Sequence, residues 1–258
     1  MGGTHTHQGT DVGSLAWVTD SSTAIVIPAK DEAARVGTTV ESAWKIPGAD
    51  VVIVVDDGST DGTAAAAFAA GAMVVKHSRN RGKAAAMETG ASAVELLDQR
   101  DERTDGRLLL FLDADLEETA GAAAALVETV AAGDADMTIA TLPPQRTAGG
   151  GFGYVVKLAR AGIEQATGWT ASQPLSGQRC MRWEAYQAAV PLAPGWGVEV
   201  GMTIDLLQAG FRVREVEVPL HHRVTGTALA AQLHRARQLR DVAWALASRG
   251  VRPRLPRS

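Results

Sequence analysis

The sequence holds one cysteine, Cys180, so no disulfide can form within the chain. That suits a reducing compartment, and a cytoplasmic location is the expectation. No apolar run approaches the roughly 18 residues that a membrane-spanning helix needs. The first residues lack a basic region followed by an apolar core, which predicts no signal peptide. A basic excess is missing too: 25 Lys and Arg stand against 29 Asp and Glu, a net charge of −4. This argues against nucleic acid or an anionic membrane surface as the partner. Neither a GxGxxG turn nor a P-loop occurs, so a dinucleotide fold and a Walker-type nucleotide site are both disfavoured. There is no solenoid repeat.

What is present is an ordinary globular balance, with 46% apolar and 21% charged residues over 258 positions. That is enough for one large α/β domain or two small ones. The segment 1–22 is rich in Gly, Thr, Ser and His without periodicity and is expected to be a disordered leader. From Ala24 onward, short apolar runs alternate with helical patterns. Strands are predicted at Ala24–Ile27, stopped by Pro28, and at Val51–Val55, Met73–Val75, Leu108–Leu112 and Asp136–Ala140. Helices are predicted at Ala33–Ile46, Ala64–Ala70, Lys83–Leu97 and Thr119–Ala132. Strand–helix alternation of this kind predicts a doubly wound, mostly parallel sheet with right-handed crossovers. Pro143–Gly153 reads as a flexible connection over the site. Helices follow at Tyr154–Thr167, Trp183–Val190 and from Gly195 to Gln208. Phe211–Leu220 alternates like a strand with one solvated face. Ala228–Ser248 is a long basic helix with Leu229, Leu233, Leu239, Val242 and Leu246 as its apolar stripe. The residues 251–258 look frayed.

The chain is organised around Leu108–Leu116, LLLFLDADL. Five apolar residues without polar alternation describe a strand buried on both faces. Asp113 and Asp115 follow at its end, where open α/β sheets bind ligands. Two aspartates at i and i+2 suit one hard divalent cation, which can carry a diphosphate. An isolated DxD also starts turns and caps helices; the company it keeps decides. Asp31 and Glu32, Asp56 and Asp57, and Lys83 also follow strands or open helices, and a parallel sheet brings all such ends to one edge. Carboxylates suit ribose hydroxyls and base N–H groups, which donate, while metal and lysine suit a diphosphate. The ligand implied is a nucleotide diphosphate carried by Mg²⁺ or Mn²⁺.

The segments IPAKDE, VVDDGSTDGT, NRGKAAAMETG and LDADL, in this order, resemble the signatures of family 2 glycosyltransferases with the GT-A fold. Further on, QPLSGQRCMRWEA, GWGVEVGMTID and VPLHHR resemble glucosyl-3-phosphoglycerate synthases and their relatives. The resemblance implies a GT-A domain with a nucleotide-sugar-binding half, 23–142, and an acceptor-side half, 143–250. It implies that Pro28, Ala29 and Glu32 line the nucleoside pocket and that Asp57 receives a base N–H such as that of uracil. Lys83 would neutralise the nucleotide or its diphosphate, and Asp113 would hold the ribose and help hold the metal. Asp115 would be the main metal ligand and a catalytic residue, with His222 as a further ligand and His221 as its rival. Ser176, Gly177 and Arg179 would meet the acceptor. Glu199 would orient a hydroxyl or, in an inverting enzyme, act as base; the resemblance favours retention.

The activity implied is transfer of a hexose, glucose, from a UDP-linked donor to a small, anionic acceptor. A polyprenyl-phosphate sugar transferase is the alternative, with the basic C-terminal helix and Trp244 on a membrane surface. A sugar-nucleotidyltransferase would show a Gly-rich loop near the first strand, and none is visible. The long terminal helix also offers a face for a homodimer.

Overall fold

The computed structural model describes residues 22–142, 153–220 and 229–252. The leader, the 143–152 connection, His221, His222 and most of the C-terminal tail lie outside them.

The first half alternates as expected: β1 (Thr23–Ala29), α1 (Val36–Ala43), β2 (Ala49–Asp56), α2 (Thr63–Ala69), β3 (Met73–Lys76), α3 (Lys83–Arg100), β4 (Leu108–Phe111), α4 (Ala124–Ala131) and β5 (Met137–Thr141). Then come α5 (Gly153–Thr167), β6 (Arg179–Met181), α6 (Trp183–Ala189), α7 (Val198–Gln208), β7 (Val213–Glu217) and α8 (Leu229–Ala247). The described strands form one sheet in the order β3-β2-β1-β4-β6-β5-β7. Only β6 runs against its neighbours, wedged between β4 and β5.

The apolar runs divide between the two sheet faces by simple alternation. Ile25, Ile27, Val52, Val54, Leu110 and Leu112 pack under α1, α2 and α4. Ala24, Val26, Ile53, Val55, Leu109 and Phe111 pack against α3, α6 and α7. A third cluster without strands joins α5, α7 and α8. Val242 and Leu246 supply the α8 contribution, whereas Leu239, expected in the apolar stripe, is 40% exposed.

Two further expectations need correction. Pro28 does not stop β1; it lies within the strand, opposite Val55 of β2. Ala29 accepts from Asp57 N and so faces β2, while Val26 accepts from Leu112 N and faces β4. By alternation Pro28 faces the β4 side, beyond the last β1–β4 pair at Val26 and Phe111. Its missing N–H therefore costs no ladder bond. The Thr119–Ala132 helix instead starts at Glu117 as a 3₁₀ turn, becoming α-helical at Ala124.

Candidate active site

Beyond β4, buried Leu112, Ala114 and Leu116 alternate with the partly exposed Asp113 and Asp115. The apolar members anchor the turn and leave both carboxylates on its open side. Helix α1 braces it from beneath. Thr39 Oγ1 donates to Ala114 O at 2.9 Å and accepts from Glu117 N at 2.9 Å. Ser42 Oγ donates to Glu118 O at 2.8 Å and accepts from Gly121 N at 3.0 Å. Glu117, with φ of 49°, takes the left-handed conformation at which the chain turns into the next helix.

Lys83, the first residue of α3, reaches Asp113 Oδ1 at 2.8 Å and Glu199 Oε1 at 3.0 Å. Desolvation pulls the ammonium down, but the two carboxylates outweigh it and hold its pKa above the ordinary lysine value. Glu199 lies in the first turn of α7, where the helix dipole favours a negative charge, and is 5% exposed. The other Asp113 oxygen accepts from Gln178 Nε2 at 2.6 Å, and Ser176 Oγ donates to Gln178 Oε1 at 3.3 Å. The antiparallel register explains this meeting. Phe111 pairs with Arg179, so the residues just before β6 run alongside those just after β4. Gly177 is the tightest point: a Cβ there would lie 2.4 Å from Lys83 Nζ and 3.0 Å from Asp113 Oδ1.

The loops that follow β1 and β2 are stitched together by their own polar groups. Asp31 Oδ1 accepts from Thr60 N at 2.8 Å, and Asp31 N donates to Ser59 Oγ at 2.9 Å. Asp61 accepts from Ala33 N at 3.1 Å and Thr63 N at 3.0 Å, besides the Thr63 hydroxyl. The Thr60 N–H lowers the Asp31 pKa, and the Thr63 hydroxyl that of Asp61. Glu32 pairs with Arg35, and its N–H donates to Thr63 Oγ1 at 2.8 Å. Pro28 and buried Ala29 end β1 beside these loops. Gly58 has φ of 71°, and a Cβ there would meet the Arg79–Asn80 backbone at 2.6 Å, so only glycine fits this turn.

Asp57 is 5% exposed. Its Oδ1 accepts from His77 Nδ1 at 2.7 Å and Arg81 N at 2.8 Å, and its Oδ2 accepts from Gly82 N at 2.8 Å. The expected base contact is therefore a carboxylate already oriented by three protein donors.

The structure brings together Lys83, Asp113, Glu199, Ser176 and Gly177, from both expected halves of the site. Asp115 follows on the same turn. Arg179 needs correction: it is 1% exposed and does not stand ready for an acceptor. Its Nε donates to Ser176 O at 3.0 Å and its Nη1 to Thr203 Oγ1 at 2.8 Å. Burial brings its pKa down to about 10, against the opposing pull of Glu199 and Glu215. It pins the loop that carries Ser176 and Gly177. Sequence reasoning missed the grip of Gln178 on Asp113, of His77 on Asp57 and of Thr39 on the aspartate turn. The Gln178 contact alone had a signal, its place in the SGQR segment whose last residue, Arg179, begins β6.

The donor set suits a hard dication. Asp113, Asp115 and Glu199 against Lys83 sum to two negative charges, and the oxygens are carboxylates. Mg²⁺ sites commonly use one or two carboxylates, with substrate phosphates and water completing the shell. Among the described residues, no group of three His, Cys, Asp or Glu side chains forms a closed protein cage. The residues present therefore fit an ion whose shell a diphosphate helps complete.

A family model described as "Glycosyl transferase family 2" matches residues 24–187. The glucosyl-3-phosphoglycerate synthase of Mycolicibacterium smegmatis is 30% identical over 211 residues, 70% of this chain. The chain spans 63% of that relative's length. A crystal structure of the Mycobacterium tuberculosis glucosyl-3-phosphoglycerate synthase with Mn²⁺, UDP and phosphoglyceric acid superposes with a TM-score of 0.71. It is 26% identical, covering 90% of this chain and 80% of that one. The same enzyme with Mn²⁺, UDP-glucose and phosphoglyceric acid gives a TM-score of 0.70 at 26% identity, over 90% of this chain and 81% of that one. The fold is shared with these glycosyltransferases of GT-A type.

Proposed function

The chain belongs to glycosyl transferase family 2, and from that premise we propose that it transfers glucose from UDP-glucose to a small anionic acceptor of the phosphoglycerate kind, with Mg²⁺ or Mn²⁺. The observation that carries this reading is the ion-paired set Asp113–Lys83–Glu199. It joins the end of β4 and the start of α3, on the donor side, to the start of α7 on the acceptor side. The complexes of the M. tuberculosis enzyme with Mn²⁺, UDP-glucose and phosphoglyceric acid support the choice of substrates.

In this reading Pro28, Ala29 and Glu32 line the nucleoside pocket, Glu32 at the ribose, and Asp57 accepts the uracil N3–H. Asp115 and Asp113 would hold the divalent ion, with His222 as the further ligand, a residue outside those described. When bound, that ion supplies Lewis-acid stabilisation of the leaving diphosphate. Lys83 adds a positive charge fixed in advance, so little reorganisation is needed as charge develops. Ser176 and Gly177 border the acceptor. Glu199 holds Lys83 in place, which accords with a retaining course that asks no base of the protein. The 23–142 and 143–250 segments act as donor and acceptor halves of one domain.

The test is product formation from UDP-glucose and 3-phosphoglycerate with Mn²⁺, followed by mass spectrometry. A glucosylated phosphoglycerate is expected, with activity lost in EDTA and restored by Mn²⁺. Failure to bind UDP, or to consume UDP-glucose with any phosphorylated acceptor, would refute the reading.

One surface favours a second acceptor class. On α8, Arg237, Arg240 and Trp244 share one exposed face, with Trp244 55% exposed. Such a face suits a membrane interface and a polyprenyl-phosphate acceptor. No described helix is long and apolar enough to cross a membrane. Co-sedimentation with anionic vesicles, and transfer to polyprenyl phosphate within them, would distinguish this reading.

A further inference from the structure

His77 is not part of the donor pocket as proposed above, yet it is 6% exposed and joined at both ring nitrogens. It follows β3 directly, and its backbone N–H donates to Asp56 O at 2.9 Å, which fixes its position beside the Asp56–Asp57 turn. Nδ1 lies 2.7 Å from Asp57 Oδ1. An ionised carboxylate only accepts, so Nδ1 carries the proton of this bond. Nε2 lies 3.0 Å from Thr89 Oγ1, and Thr89 is on α3.

The same carboxylate of Asp57 accepts from the N–H groups of Arg81 and Gly82, the two residues before Lys83. Helix α3 is thus held twice from one point. Asp57 binds its lead-in through backbone amides, and His77 binds its second turn through Thr89. The closed loop of contacts runs Asp57, Arg81–Gly82, Lys83 to Thr89, His77 and back to Asp57. Lys83 stands on the part of the helix this loop encloses. Gly82, with φ of 93°, supplies the backbone turn that delivers Lys83 into the helix, so the position of the lysine depends on where its amide is held.

We propose that His77 is a positioning residue: by orienting Asp57 it fixes the start of α3, and through it the ammonium of Lys83. This rests on the reading of Asp57 and Lys83 as nucleotide and diphosphate contacts. Its consequence is that base recognition and leaving-group stabilisation are coupled through one carboxylate. A donor seated on Asp57 settles the same group that sets Lys83.

The test is equilibrium binding of UDP, by titration calorimetry, to the full chain and its variants. His77→Ala should weaken UDP binding about tenfold, the effect of losing one hydrogen bond to a charged group. His77→Asn, whose amide can donate in place of Nδ1, should recover most of that loss. In a Lys83→Met background, His77→Ala should cost clearly less than about tenfold in UDP affinity, because the share transmitted through the lysine is gone while the contact of Asp57 with the base remains. In turnover assays His77→Ala should lower kcat as well as raise KM, whereas a variant that is merely less folded keeps its KM. Thermal unfolding of each variant checks folding separately.

An undiminished affinity in folded His77→Ala overturns the inference. So does the same loss in both backgrounds, which would confine His77 to Asp57 alone. If the unmodified protein binds no UDP, the donor assignment fails first and takes the inference with it. Wild-type binding with an unaffected His77→Ala variant leaves that assignment standing.

Discussion

Replacing Gly177 by alanine adds one methyl group at the tightest point of the site. The new Cβ would lie 2.4 Å from Lys83 Nζ and 3.0 and 3.1 Å from the two Asp113 oxygens. Contacts this short cannot persist, and the mobile member is the end of the lysine chain. The backbone at Gly177 does not have a left-handed φ, so the substitution acts through this contact alone. Lys83 must give up its bonds to Asp113 and Glu199, at 2.8 and 3.0 Å. Hydrogen bonds to charged groups are worth about 1.5–3 kcal/mol each. With Lys83 and Asp113 still 23% and 29% exposed, water recovers part of that, and the stability loss should be about 1–2 kcal/mol. On the proposed reading the catalytic loss should be larger, because a displaced ammonium would no longer face the leaving diphosphate. A fall in kcat of about 10²-fold is expected, on the scale of losing one fixed electrostatic donor. Initial rates at saturating UDP-glucose, paired with thermal unfolding, measure both quantities. A Gly177→Ala protein with wild-type kcat would show that the Lys83 position does not matter to turnover.

Further expectations are separable in the same assays. Asp115→Ala should abolish divalent-dependent turnover; unchanged rates with Mn²⁺ would remove Asp115 from the metal site. Lys83→Met should lower kcat by about 10²–10³-fold, while KM for the acceptor moves less. The raised pKa of Lys83 means that its ion pairs contribute stability below the ordinary lysine value and lose it only as pH rises through the higher folded value. Alkaline titration from neutral pH to that ordinary value should therefore keep Lys83 charged, and a basic limb of the rate profile within that range would contradict this. Gly90→Ala should act on stability alone, since its Cβ would meet Val26 Cγ1 at 2.3 Å where α3 crosses β1. About 1–3 kcal/mol of destabilisation is expected, with kcat per folded molecule unchanged.

The parts of this molecule legible in its sequence are those set by local pattern. The run Leu108–Leu112 holds a strand, Leu108–Phe111, covered on both faces because each alternate side chain meets a different helical layer. The aspartates after it emerge at the sheet edge for the same reason. Strand β6 was not legible as an insertion, because three residues carry no period and its neighbours are chosen by tertiary packing. Pro28 misled because its penalty depends on which side of the strand still has a partner. Arg179 misled because arginine is usually a surface residue, and here Ser176 O and Thr203 satisfy its guanidinium inside the protein. Convergence of the loops after β1 and β2 could be argued from parallel topology. The links from Gln178 to Asp113 and from His77 to Asp57 could not, since each joins residues far apart in sequence with no spacing rule between them.

The reversed strand β6 sets a limit on how this site can adapt. Because Arg179 is paired on one side with Phe111 and on the other with Ile139, the stretch entering it is zipped into the middle of the sheet. The flanks proposed for donor and acceptor therefore share a rung of one ladder and do not straddle a hinge. The gap between them cannot widen for a bulkier acceptor without unzipping the centre of the domain. Changes in acceptor choice must come from segments outside that ladder, and the chemistry at the rung stays in register while they vary.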